Sequence, residues 1–182
     1  MATNKDRDIQ VEAAMRYRKE TGATAVEFAL IAPVFFLLIF AIIEFGLLFW
    51  VDLTMQHAVR EGARFAITGQ TNPSPDPNHK RYNDIIATMN KSSMGLWAKV
   101  DPEISVTITN GASSTTTVYD DDTPYVDGMF GESGNVITIQ LNCRWPPFTG
   151  YIRDFFSTGE HGFHVAATMK NEGFTPPPTP KP

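Results

Sequence analysis

Cysteine is nearly absent from the chain. Cys143 is the only one in 182 residues, so no intrachain disulfide can form. A lone cysteine of this kind reads as a small buried apolar residue rather than as a reactive thiol. Blocks of lysine or arginine are missing as well. With 15 basic against 20 acidic residues the net charge is −5, and nucleic acid finds no electrostatic footprint. There is no glycine-rich phosphate loop and no G-x-S-x-G nucleophile turn. His57, His79, His161 and His164 do not stand at metal-ligand spacing. Asp120, Asp121 and Asp122, with Asp127 and Glu132, depart from the spacing of a calcium-binding EF-hand loop and read as a solvated acidic loop. No internal repeat is present. A structural, non-enzymatic chain without metal or cofactor is expected.

What is present is unevenly spread. Apolar residues make up 42% of the chain, an ordinary share, but they are concentrated between Glu27 and Asp52. That stretch reads FALIAPVFFLLIFAIIEFGLLFWV, with Glu44 as its single charge. As a helix, Phe28 to Val51 spans roughly 36 Å, enough to cross a hydrocarbon core of about 30 Å. Apolar residues occupy every face rather than one stripe, which excludes the core helix of a soluble domain. Lys5, Arg7, Arg16, Arg18 and Lys19 precede the run, and the next basic residues are Arg60 and Arg64. By the positive-inside rule the N-terminus stays in the cytoplasm and everything beyond about Asp52 is exported.

Beyond the span, Asp52 to Ile67 places Met55, Val59, Ala63 and Ala66/Ile67 at helical spacing, so the helix continues as an amphipathic one. Thr68-Gly69 stops it, and NPSPDPN at 72–78 makes a loop or hinge. The division expected is a leader at 1–22, a transmembrane and amphipathic helix at 23–67, and a proline-rich hinge at 68–81. An α+β domain follows at 82–174, then a disordered proline-rich tail at 175–182. Within the domain, Tyr82 to Lys99 reads as a helix with Tyr82, Ile85, Ile86 and Met89 on one face. Glu103–Thr109, Thr115–Tyr119, Val136–Arg144 and Phe163–Lys170 read as strands, with Ile137, Ile139, Leu141 and Cys143 on one side. Alternation of that kind suits an antiparallel sheet packed on the helix. Trp145 and Phe148, flanking Pro146-Pro147, and Phe155-Phe156 read as packing residues or an exposed aromatic patch.

The most informative stretch is the junction Gly22-Ala-Thr-Ala-Val-Glu27-Phe28. A secretory signal peptide has an apolar core of about 7–15 residues and small cleavage-site residues beyond it. Here the run is longer and the small residues precede it. A cut at that point leaves the apolar helix on the mature chain. The pattern resembles a pilin precursor, and specifically the TadE-like family of minor pilins or pseudopilins. Its elements are the Gly22–Glu27 pair, E-F-A-L-x-x-P at Glu27–Pro33, I-x-E-x-G at Ile42–Gly46 and R-E-G-A-R-x-A at Arg60–Ala66. Ala166–Glu172 is similar to the closing strand of such proteins.

The resemblance implies a pilin-like fold and cleavage between Gly22 and Ala23 by an aspartic prepilin peptidase. It implies residence in the inner membrane with a periplasmic domain, and a role in assembling thin adhesive Tad (Flp) pilus fibres with other pilins. Its assembly residues would be Glu27, Phe28, Pro33, Glu44, Gly46, Arg60, Glu61, Gly62 and Arg64.

Each of these positions also has a plain reading. Glu27 is either a polar residue at the membrane surface or the partner of the new amino group of Ala23. Glu44 either reaches interfacial water or pairs with a neighbouring pilin. Pro33 removes the hydrogen bond to the Ala29 carbonyl, as a tolerated kink or as a stretch that bends on assembly. Arg60 and Arg64 share a face, with Glu61 near it, and reach lipid headgroups, the domain or a neighbour. Gly46 and Gly62 permit close helix approach. Rival readings are a signal-anchored periplasmic binding or sensory domain outside any pilus, an exported enzyme on a stalk, and a TadF-like or TadG-like partner.

Overall fold

A computed structural model of the chain describes residues 4–74, 79–120, 122–154 and 159–173. The tail at 175–182, Asp121, Phe155-Phe156 and the prolines at 75 and 77 lie outside these residues. Eight elements follow in order: α1 (Asn4–Ile67), α2 (Arg81–Ser92), α3 (Trp97–Val100), β1 (Glu103–Asn110), β2 (Ser113–Tyr119), β3 (Val136–Trp145), α4 (Gly150–Arg153) and β4 (His161–Lys170). The chain divides into two compact units, Met1–Phe45 and Gly46–Pro182. The architecture is α+β, as expected: a long apolar N-terminal helix, then a helix and an antiparallel sheet.

The first unit is the earlier part of α1. The helix begins at Asn4, well before the expected start at Ala23. No proline interrupts the chain before Pro33, and one glycine in a helix costs only about 1 kcal/mol, so Gly22 does not end it. Pro33 is accommodated inside α1, which stays helical on both sides of it.

In the second unit the rest of α1 lies with α2 against one face of the sheet. Val51, Met55, Val59, Ala63 and Ala66 are buried together with Ile85 and Met89 of α2 and with the inward residues of the strands. These positions recur at three- and four-residue steps, the spacing of one helical face. Gly62 is where the two helices meet. A Cβ there would stand 2.1 Å from the Met89 Cγ, so only glycine lets α2 come this close.

The strand order is β2-β1-β3-β4, antiparallel throughout. Ile137, Ile139, Leu141 and Cys143 of β3 all face the core, as their alternation predicts. Each such side chain contributes about 1.5–3 kcal/mol by leaving water. The opposite face is polar. Thr116, Thr107, Thr138 and Thr168 stand in register across the four strands. Their hydroxyls pair at 2.8 Å, Thr107 with Thr116 and Thr138 with Thr168. Cross-strand pairs like these add a few tenths of a kcal/mol each while presenting the face to water.

The helix expected at Tyr82–Lys99 is two helices. Ser93, Met94, Gly95 and Leu96 form a turn between α2 and α3, with positive φ at Met94 (54°) and Gly95 (83°). Glycine takes this conformation freely, methionine only under strain. Ser93 serves both sides of the break: its hydroxyl donates to the Asn90 carbonyl at 2.6 Å and accepts from the Trp97 amide at 3.2 Å. The described ends of the proline-rich loop are tied to α2. Buried Asp84 accepts from the Asn72 amide at 2.8 Å and its side-chain Nδ2 at 3.2 Å, and meets His79 Nε2 at 2.9 Å.

Candidate functional site

The junction motifs all lie on α1, and their surroundings differ sharply along it. Gly22, Ala23 and Glu27 are exposed, and Glu27 has no side-chain partner among the described residues. Phe28 is 67% exposed, and Leu30, Ile31, Val34, Leu37 and Leu38 are exposed after it. Such a run, apolar on every side and uncovered, is solvated by lipid or by other helices rather than by water. It is long and apolar enough to cross a membrane, with a mean hydropathy of 2.7 over its most apolar stretch, and this suggests membrane anchoring.

Glu44 is 1% exposed and engaged within the chain. Gly46 is exposed, with open space where a side chain would be. From Phe49 to Arg64 the outward face changes character. Phe49, Trp50 and Leu53 are exposed apolar residues, and His57, Arg60 and Arg64 follow them on the outside. Aromatic side chains at the end of an apolar run suit the headgroup level of a bilayer.

Arg64 Nη1 lies 3.5 Å from Glu61 Oε1, a solvated one-turn pair that contributes at most about 1 kcal/mol. Gly62, by contrast, faces inward against Met89 and serves the domain's own packing. The motif therefore splits: Arg60 and Arg64 are presented outward, and Gly62 is spent on holding α1 to α2.

Sequence reasoning missed the residues that lock α1 to the domain. Gln56 Nε2 donates to the Ala166 carbonyl of β4 at 2.9 Å, and the Glu172 amide donates to the Ile67 carbonyl at 3.0 Å. Arg81 Nη2 caps the Ala66 carbonyl, and burial pulls its guanidinium pKa below the usual value. Buried Asn171 donates from Nδ2 to the Phe130 carbonyl at 3.0 Å and the Glu132 carbonyl at 2.9 Å, pinning the loop before β3 to the end of β4. A polar residue just past an alternating strand was the only signal for it.

Cys143 is buried, and its thiol pKa is pushed up to about 12 by burial first and by the charge of Asp52 second. It is a packing residue. In the acidic loop, Asp120 Oδ1 accepts from the Asp122 and Thr123 amides at 3.0 and 2.8 Å. Asp127 pairs with Lys80 at 2.8 Å, which raises the pKa of that lysine.

A membrane-anchoring helix carried into an α+β domain is the class of protein these features define. Residues 22–64 match the family model of TadE-like protein, the family that the motifs between Gly22 and Ala66 resemble. No curated protein and no solved structure shows significant similarity to the chain.

Proposed function

We propose that this chain is a TadE-like minor pilin or pseudopilin, a structural, non-enzymatic component of the inner membrane that supports assembly of Tad (Flp) adhesive pili. The observation that carries the reading is the family match over 22–64, which begins at Gly22 and spans the exposed apolar run and the Arg60–Arg64 turn. In this reading the N-terminus lies in the cytoplasm and the domain in the periplasm. Prepilin peptidase cuts between Gly22 and Ala23, leaving the apolar helix on the mature chain. Glu27, exposed and without a side-chain partner among the described residues, then accepts the new amino group of Ala23, its own or that of an adjacent subunit. An unpaired charge among packed helices costs about 3–5 kcal/mol, so this pairing would select the register in which subunits meet. The same outward apolar side chains are solvated by lipid before assembly and by sister helices after it.

Incubating the membrane-extracted protein with active prepilin peptidase tests the first step. N-terminal sequencing should then begin at Ala23, whereas an unchanged mass removes the processing step. A second reading, a signal-anchored binding or sensory domain, draws on the fact that the match stops at Arg64. Recovery of other pilins with the native protein separates the two.

A further inference from the structure

The sheet has two outer strands, β2 and β4. An open edge presents unpaired amide and carbonyl groups, which water or another strand must satisfy. The β4 edge is already engaged. Gln56 of α1 donates to the Ala166 carbonyl at 2.9 Å, and just past the strand the Glu172 amide bonds to Ile67. Strand β4 also carries His161, His164 and Lys170, and charge on an edge discourages a further strand. Strand β2 has none of these devices. Ser113–Tyr119 reads S-S-T-T-T-V-Y, without a charge or a proline. Among the described residues its backbone bonds only to β1. Ser113, Ser114, Thr115, Thr116 and Val118 are exposed. Such a strand is a ready template for another.

The residues of β2 say which strand fits. A strand that meets its own copy sets each charge against a like charge, so the lack of any charge is what self-pairing requires. About Thr116 the strand is close to self-complementary. Antiparallel pairing sets Thr116 against its counterpart, Thr115 against Thr117 and Ser114 against Val118. This register pairs the whole of β2, whereas a shift either way leaves its ends unpaired. Opposed residues of an antiparallel pair point to the same side, so the polar face of one sheet continues into that of the other. The row Thr168, Thr138, Thr107 and Thr116, in register across one sheet, then runs on unbroken through the second.

We infer that β2 is a self-association edge: two copies of this chain pair antiparallel through it, about a two-fold axis at Thr116, and join their sheets into one. The contact is the same patch on both copies, and the engaged β4 edge stops addition at two. The inference needs neither prepilin cleavage nor other pilins, so it stands or falls apart from the pilus role.

Cysteine trapping of the full chain in native membranes reads the register directly. Under a mild oxidant Thr116→Cys should give a disulfide-linked dimer, because opposed Cα atoms stand about 4.5–5.5 Å apart. Val118→Cys, on the same face, should not link to itself, since its counterpart lies about 13 Å away along the strand. Co-expressed Ser114→Cys and Val118→Cys chains should link to each other. Cys143 is buried, so the wild-type chain supplies the background. The Thr116→Cys dimer should exceed that background, and the Val118→Cys signal, at least about tenfold. Differently tagged copies give a second readout. Thr116→Lys alone and Thr116→Asp alone should each abolish co-purification, and mixing the two variants should restore it. Thr116 is exposed, so both variants should keep the wild-type thermal midpoint. No Thr116→Cys dimer above background, equal linking by Val118→Cys, a disulfide to a different protein in its place, or no rescue by the mixed variants overturns the assignment.

Discussion

Between Phe28 and Phe45, α1 carries large apolar side chains outward on all sides. Between Val51 and Ala66 the same helix buries one stripe and leaves Leu53, His57, Arg60 and Arg64 on the other. Backbone and helical period are the same in both stretches, so local propensity does not separate them. What separates them is the partner. The first stretch has a surface that only lipid or other helices can solvate, and the second has a sheet, a second helix and a row of hydrogen bonds. Membrane anchoring and folding are thus written on one helix in two patterns, and each can be broken without the other.

The largest effect expected is on the second pattern. Val59 is fully buried, and Val59→Asp places an unpaired carboxylate in the core at a cost of about 3–5 kcal/mol. Limited proteolysis should show the domain opened while alkaline extraction still leaves the chain in the membrane. The converse change is Leu37→Arg, in the first stretch, where the side chain is 70% exposed. A charge at the centre of a span costs about 2.5–3.5 kcal/mol on insertion. Alkaline extraction should release a larger fraction of this variant, with the thermal midpoint of the domain unchanged.

Gly62→Ala is next. Alanine gains at most about 1 kcal/mol in helix propensity, but the overlap with Met89 costs about 1–3 kcal/mol, so the thermal midpoint should fall. A midpoint that rises instead would show that α2 can move off α1 freely.

The last effect is a pH dependence, absent at neutral pH. The folded Cys143 thiol titrates at about 12, above its ordinary value near 9. Between those values the unfolded chain has lost the proton and the folded chain keeps it. Stability from this group is complete below about pH 9 and falls by roughly 1 kcal/mol per pH unit above it. Tyr119 and Tyr125, also raised by burial, act in the same direction. Denaturant melts of Cys143→Val against the wild type isolate the cysteine share, and the variant should show the shallower decline.

How much of this was legible in the sequence depends on the range of the interaction. The strands were, because alternation is local: Ile137, Ile139, Leu141 and Cys143 announce their face whatever covers it. The outward apolar run was legible for the same reason. The break at Met94-Gly95 was not, since one glycine in an otherwise helical pattern is tolerated more often than it ends a helix. The burial of Glu44 had no local signature. Nor did the meeting of Tyr82, Tyr119 and Tyr125, which come from α2, the end of β2 and the loop after it. Gly62 was singled out for its place in a motif, but its contact with Met89 depends on where α2 lies.

That contact has a chemical consequence. The Met89 side chain is fully buried against Gly62, while Met94, just past the end of α2, is 75% exposed. A mild oxidant reaches Met94 in the folded protein but reaches Met89 only when α2 lifts from α1. The two thioethers make an internal clock: sulfoxide at Met94 records exposure to oxidant, and sulfoxide at Met89 records how often the domain opens.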